Sequence, residues 1–161
     1  MLKILLLGKN GQLGWELRRT LAPLGEVTAL DYPEIDLTRA ESIEQVVLDA
    51  RPQVVVNATA YTAVDRAESE AEVAFAVNGR APAVIAQAAA ALGAALIHYS
   101  TDYVFDGTKG GAYLESDPAH PLGVYGQSKL AGEQAVQQVG GNSLILRTSW
   151  VYSLRRDSFV T

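Results

Sequence analysis

An α/β fold built on a doubly wound parallel sheet is predicted by three observations. Short aliphatic runs alternate with longer segments of helical period, the first run is apolar throughout rather than at every second residue, and no repeat or linker divides the chain. The first strand is Lys3 to Leu7, and its unbroken apolar character suits burial on both faces. Leu13, Leu17, Leu21 and Leu24 then recur at intervals of four and three, which makes one apolar stripe on a helix beginning near Gly11 and ended by Gly25. Glu26 to Leu30 is the second strand, with Asp31 just past its end. Thr38 and Glu41 form a capping-box pattern opening a helix that turns Ile43, Val46 and Val47 inward until Pro52 stops it. Val54 to Asn57 is the third strand. A polar stretch from Asp65 to Glu72 precedes an alanine-rich helix from Pro82 to Leu92, with Gly93 as its stop. Ala94 to Ser100 and Ser143 to Arg147 are the fourth and fifth strands. Between them lie a long irregular segment, rich in glycine and proline, and a helix from about Tyr125 to Val139; a loop of that length is more often functional than idle.

Composition limits what such a sheet can serve. The chain has 161 residues, 48% hydrophobic and 19% charged, enough to bury a core in one soluble domain. The absence of cysteine excludes disulfides, zinc knuckles and a thiol nucleophile. With 13 Lys and Arg against 18 Asp and Glu, a net charge of -5 argues against a nonspecific grip on nucleic acid or an anionic membrane. A small molecule or another protein is the expected partner. The N-terminal apolar run is interrupted by Lys3 and stops at Gly8, too short for a signal segment or a membrane span, so a cytoplasmic setting is expected.

Gly8-Lys9-Asn10-Gly11-Gln12-Leu13-Gly14 follows a buried strand and opens an amphipathic helix. Gly8 permits the tight turn, Gly11 lets the backbone approach a pyrophosphate, and Gly14 lets helix and strand pack closely. The helix N-terminus offers its N–H groups and partial positive charge to phosphate. A structural turn would need some of the same glycines. The order of strand, turn, helix, strand and acid nevertheless favours a Rossmann-type dinucleotide site, because Asp31 stands at about the 20-residue offset of the acid that binds the adenosine ribose. An acid there favours NAD over NADP without excluding either.

Tyr125-Gly126-Gln127-Ser128-Lys129 puts a phenol and an ammonium on one helix face. An ammonium beside a tyrosine favours the phenolate and brings a group that titrates at about 10 toward useful proton exchange. Ser100 and Thr101 end the fourth strand, where parallel sheets place their ligands, and Thr101 is positioned to hydrogen-bond a carbonyl that Tyr125 protonates; ordinary loop capping is the alternative. His98 reads as a packed core residue and His120 as a loop residue, and no spacing forms a metal site. Trp150, beyond the fifth strand, fits either core packing or stacking on a ligand.

These runs, together with Asn57 to Asp65, His98 to Phe105, Tyr125 to Glu133 and Arg147 to Tyr152, give a sequence that resembles the extended short-chain dehydrogenase/reductases and, among them, the dTDP-4-dehydrorhamnose reductase family. The resemblance implies hydride transfer from NADPH or NADH to C4 of a dTDP-linked 4-keto-6-deoxy sugar, giving dTDP-L-rhamnose for surface polysaccharide synthesis. Carried over by position, it assigns Gly11, Gln12 and Leu13 to the pyrophosphate, Asp31 to the ribose, Asp36 and Leu37 to the adenine, and Ala60, Tyr61, Thr62 and Tyr99 to the rest of the cofactor. Tyr125 would protonate the C4 oxygen while Lys129 holds the nicotinamide ribose and tunes Tyr125. Thr101, standing where the usual serine is, would bind the sugar with Asp102, and Trp150 would close over it. A divalent ion such as magnesium and a homodimer are compatible with the resemblance but not readable from the residues. Family members continue into further strands and a smaller C-terminal substrate domain. The expectation for residues 1–161 is therefore a single NAD(P)-binding domain, cut from a longer reductase after Arg155 and weak or inactive alone. A non-catalytic regulatory subunit of the methionine adenosyltransferase type, or another nucleotide-sugar epimerase or reductase, are the alternatives.

Overall fold

Alternate residues of the first strand send their side chains to opposite faces, and both faces find cover. The computed structural model describes residues 1–153. Five parallel strands, β1 (Leu2–Leu7), β2 (Gly25–Leu30), β3 (Val54–Asn57), β4 (Ala95–Thr101) and β5 (Ser143–Thr148), lie in the order β2-β1-β3-β4-β5. Leu5 and Leu7 of β1 face a core completed by Ile43 and Val47 of α2 (Ala40–Ala50), Ile85 of α5 (Ala81–Ala91) and Val136 of α6 (Val124–Val139). Ile4 and Leu6 face the other way, toward Leu17 and Leu21 of α1 (Gln12–Leu21). Each such buried aliphatic side chain contributes about 1.5–3 kcal/mol. Helices on both faces make the sheet doubly wound, as the sequence predicts.

The chain leaves β1 toward β2 on one side and returns to β3 on the other, so the order reverses between β1 and β3. A crevice forms at that point beyond the carboxyl ends of the strands. Leu7, Leu30 and Asn57 end level with one another, whereas β4 and β5 run on together to Thr101 and Thr148. The sheet therefore has a stepped edge, with the glycine turn on the lower step and Thr101 on the higher.

Several boundaries differ from expectation. The first helix ends at Leu21, leaving Leu24 exposed, and Gly25 opens β2 instead of ending the helix. The Thr38/Glu41 capping box does not form: Thr38 donates both its N–H and its hydroxyl to Asp36 Oδ1, at 2.9 and 2.7 Å, and α2 starts without a side-chain cap. The helix takes Arg39 as its N-cap, so Thr38 stands one residue outside the capping position and is held in the turn by Asp36. The polar stretch after β3 holds two short helices, α3 (Val64–Ala67) and α4 (Ala71–Phe75), and α4 continues through a π turn (Ala76–Arg80) into α5. The helix placed at Pro82 thus begins about three turns earlier. Beyond β4 a 3-10 turn (Asp102–Val104) leads into the long irregular segment. Residues 154–161, which include the end of the chain after Arg155, lie outside the described residues. No helix among the described residues is long and apolar enough to cross a membrane.

Candidate active site

Two of the three turn glycines are required by the chain itself. Gly8 has φ +91°, and a Cβ on Gly14 would lie 1.9 Å from the Gly8 carbonyl oxygen. Gly11 differs: its backbone is ordinary extended chain and a Cβ would meet only Gly8 O, at 3.5 Å. Among the described residues nothing demands a glycine there, and a backbone without a Cβ leaves room for a group approaching from outside. Gly11 is also the N-cap of α1 and gives it no side-chain cap, so the first turn has no side-chain capping partner for its N–H groups. Asp31 borders the turn, its Oδ2 accepting the Asn10 N–H at 2.9 Å and its Oδ1 the Tyr32 N–H at 2.8 Å. A pyrophosphate over Gly11 and a ribose beside Asp31 fit these residues.

The other expected cofactor contacts are spread around the same edge. The Asp36 carboxylate is engaged by Thr38, and Leu37 packs on the core below α2. Ala60 and Tyr61 are half-buried after β3, and Thr62 is exposed. The Tyr61 hydroxyl donates to Glu70 at 2.5 Å, and Arg66 grips the same carboxylate. Tyr99 turns its ring to the α1 face, while its carbonyl oxygen serves the opposite side of the strand.

That carbonyl receives the Lys129 ammonium at 2.7 Å. Lys129 is 2% exposed, and burial pulls its pKa down to about 8 despite the opposing pull of the Glu133 carboxylate. Tyr125, one turn earlier on α6, behaves differently from expectation. Burial pushes its phenol upward, the neighbouring Thr101 hydroxyl draws it back in part, and Asp102 and Tyr103 add to the rise. The expected downward tuning by Lys129 is not among the causes, because that ammonium is directed at the Tyr99 carbonyl. The phenol therefore holds its proton firmly. Thr101 is 6% exposed; its hydroxyl donates to Asp102 Oδ1 at 3.1 Å and accepts the Tyr103 N–H at 3.2 Å. Ser149 donates to the other Asp102 oxygen at 2.7 Å. A cavity of about 410 Å³ opens beside this group, lined by Asp102, Tyr103, Phe105, Tyr113 and Tyr125. Trp150 follows β5 with φ +50° and is 71% exposed, so it is not part of the core formed by the described residues.

The structure adds residues with no local signature in the sequence. Asn78, in the π turn, accepts the Tyr61 N–H at 2.8 Å and donates to Tyr61 O and Ser128 Oγ, both at 3.0 Å. Ser128 in turn donates to Tyr125 O at 2.7 Å. One buried amide thus ties the loop after β3 to the turn of α6 that carries Tyr125. Glu133 is 1% exposed and meets Arg147 in a bidentate pair, at 2.9 and 2.6 Å, which joins α6 to β5. Glu68 accepts the Val124 N–H at 2.8 Å and supplies α6 with a cap from outside the helix. His98 is the core residue expected, fully buried, with Nδ1 3.1 Å from the Asn57 amide nitrogen. His120 is exposed in its loop. Among the described residues, no cluster of His, Cys, Asp or Glu is arranged to hold a metal ion.

A dinucleotide turn, a threonine–tyrosine pair and a buried lysine along one stepped edge invite comparison with known proteins. Residues 2–161 match the family model described as RmlD substrate binding domain. The chain belongs to this RmlD family. It is 54% identical over 159 residues to a dTDP-4-dehydrorhamnose reductase of Burkholderia thailandensis, covering 99% of this chain and 53% of that protein. Another, from Escherichia coli K12, is 49% identical over 162 residues, covering 98% and 54%. Among solved structures, a dTDP-4-dehydrorhamnose reductase of Bacillus anthracis in complex with NADP superposes with a TM-score of 0.95 at 37% identity, covering 99% of this chain and 58% of that one. The RmlD-family chain spans about half the length of the curated relatives it matches.

Proposed function

We propose that residues 1–161 form the NAD(P)-binding domain of a cytoplasmic reductase that converts dTDP-4-dehydro-6-deoxy-L-mannose to dTDP-L-rhamnose with NADPH or NADH. The observation that carries this reading is the placement of buried Thr101 at the end of β4 beside the cavity that Tyr125 lines, with Tyr125 one helical turn from buried Lys129 and on the same sheet edge as the glycine turn. Similarity to reductases of that name, one of them holding NADP, supports it. Bound NAD(P)H supplies the hydride that reduces the ketone carbon.

The chain's own residues account for the rest. As the C4 carbonyl takes up hydride, its electron pair moves to oxygen, and Tyr125 delivers its phenolic proton there. A phenol pushed above its ordinary pKa is suited to this direction, because it arrives protonated. Thr101 orients the same oxygen by hydrogen bonding, solvent returns the proton to the tyrosinate, and Lys129, held by the Tyr99 carbonyl, holds the nicotinamide ribose. Gly11, Gln12 and Leu13 hold the pyrophosphate and Asp31 the ribose. Asp102 and Trp150 face the sugar, beside the cavity that Asp102 and Tyr125 line. The test is oxidation of NAD(P)H with the dTDP-4-keto-6-deoxy sugar, run on this chain and on a chain extended to its relatives' length. Turnover by the extended chain is expected, and its absence with a bound dinucleotide would overturn the substrate assignment.

A further inference from the structure

Lys9 belongs to the glycine turn, yet its side chain serves neither the turn's geometry nor the core. Its ammonium lies 2.7 and 2.5 Å from the two oxygens of Glu34, and Glu34 Oε2 also accepts the Asp31 N–H at 3.2 Å. Cation, carboxylate and ribose acid therefore form one group at the rim between β1 and β2. The Lys9 backbone is fixed by its N–H on Leu30 O at 3.3 Å, while its side chain is 22% exposed and that of Glu34 45%. The group can be reached from solvent.

This rim faces an electrostatic conflict that rests on the dinucleotide reading above. Asp31 suits a ribose with free hydroxyls, whereas a 2′-phosphate there brings further negative charge beside a carboxylate. Such a phosphate needs a cation, and Lys9 is hydrogen-bonded into the same group as Asp31. We propose that Lys9 is the 2′-phosphate receptor of this chain and that Glu34 competes for it, so that the pair sets the balance between NADPH and NADH. Exposed ion pairs contribute little net stability and rearrange readily. A phosphate dianion carries more charge than one carboxylate and accepts stronger charge-assisted hydrogen bonds, so the ammonium leaves Glu34 for it. The Lys9 hydrogen bond and the Asp31 N–H hold the Glu34 carboxyl below the ordinary carboxylate range, which keeps it an ionised competitor at neutral pH.

The experiment is titration of NADPH and NADH into this chain, read by cofactor fluorescence and by calorimetry, at low and high salt. Lys9→Met is expected to lower the NADPH-to-NADH affinity ratio about tenfold, the loss of one charge-assisted hydrogen bond. Glu34→Gln is expected to raise the ratio several-fold, and Lys9→Arg to preserve it. High salt should erase these differences. A ratio unmoved in both Lys9→Met and Glu34→Gln overturns the inference while leaving the dinucleotide reading intact. So does a ratio that falls only in Arg39→Ala, since Arg39 is the cation acting on neighbouring Asp36. Binding of neither dinucleotide by the unaltered chain overturns both.

Discussion

In the proposed reaction Tyr125 must hold its proton until a ketone oxygen becomes basic, and then release it. Burial and Asp102 secure the first requirement; the rising basicity of the reduced oxygen drives the second. Tyr125→Phe in the extended chain should reduce turnover at least about 100-fold, the lower range for losing a positioned acid, with dinucleotide affinity within a few-fold. Lys129→Ala should weaken both, and steady-state rates beside fluorescence titrations separate the two variants. His98 makes a second prediction at this scale. Burial, with Lys129 adding to it, takes its pKa down to about 3, against about 6.5 in an unfolded chain. The unfolded chain binds the extra proton between those values, so the associated stability is complete above about pH 6.5 and is lost as pH falls toward 3. Linkage puts this at about 2–3 kcal/mol between pH 7 and pH 4.5. His98→Asn, which can still offer Asn57 an acceptor, should flatten that part of the urea-unfolding profile.

Elements matter here through how closely they approach. Gly132 of α6 lies against the π turn, where a Cβ would come within 2.1 Å of the Asn78 carbonyl oxygen. The obstacle is backbone, so Gly132→Ala should destabilise by about 1–3 kcal/mol in urea titration and loosen the Asn78 link to Ser128. Glu68 caps α6 through Val124, so Glu68→Ala should cost about 1 kcal/mol, and Glu68→Gln, which keeps the acceptor, should restore most of it. The sequence made local features legible: the glycine turn, Asp31 and the Tyr125/Lys129 pair each follow from spacing within one or two elements. Asn78, Glu68 and Glu133 were hidden because their partners lie on other elements, up to 56 residues away in the chain. Thr38 misled for another reason: the capping pattern does not fix where a helix starts to the residue, and the N-cap falls on Arg39.

For the whole molecule, the order β2-β1-β3-β4-β5 places the candidate groups around the carboxyl edge of one sheet, drawn from the segments that follow its five strands and from α6. Alternation of runs made the sheet predictable, but the step at its edge was not, since it depends on β4 and β5 outrunning their neighbours. A ligand that spans the step and binds only the folded chain should stabilise it. NADPH at 100 times its dissociation constant is expected to add about 2.7 kcal/mol, visible as a rise in the thermal midpoint.

The glycine turn separates what can be rewritten from what cannot. Gly8 and Gly14 are closed in by atoms of the fold itself, so protein engineers have no latitude there. Lys9 and Glu34 sit outside that enclosure, on side chains open to water. A library randomised at those two rim positions could shift coenzyme economy toward whichever reductant a production host has in excess while leaving the folding scaffold untouched.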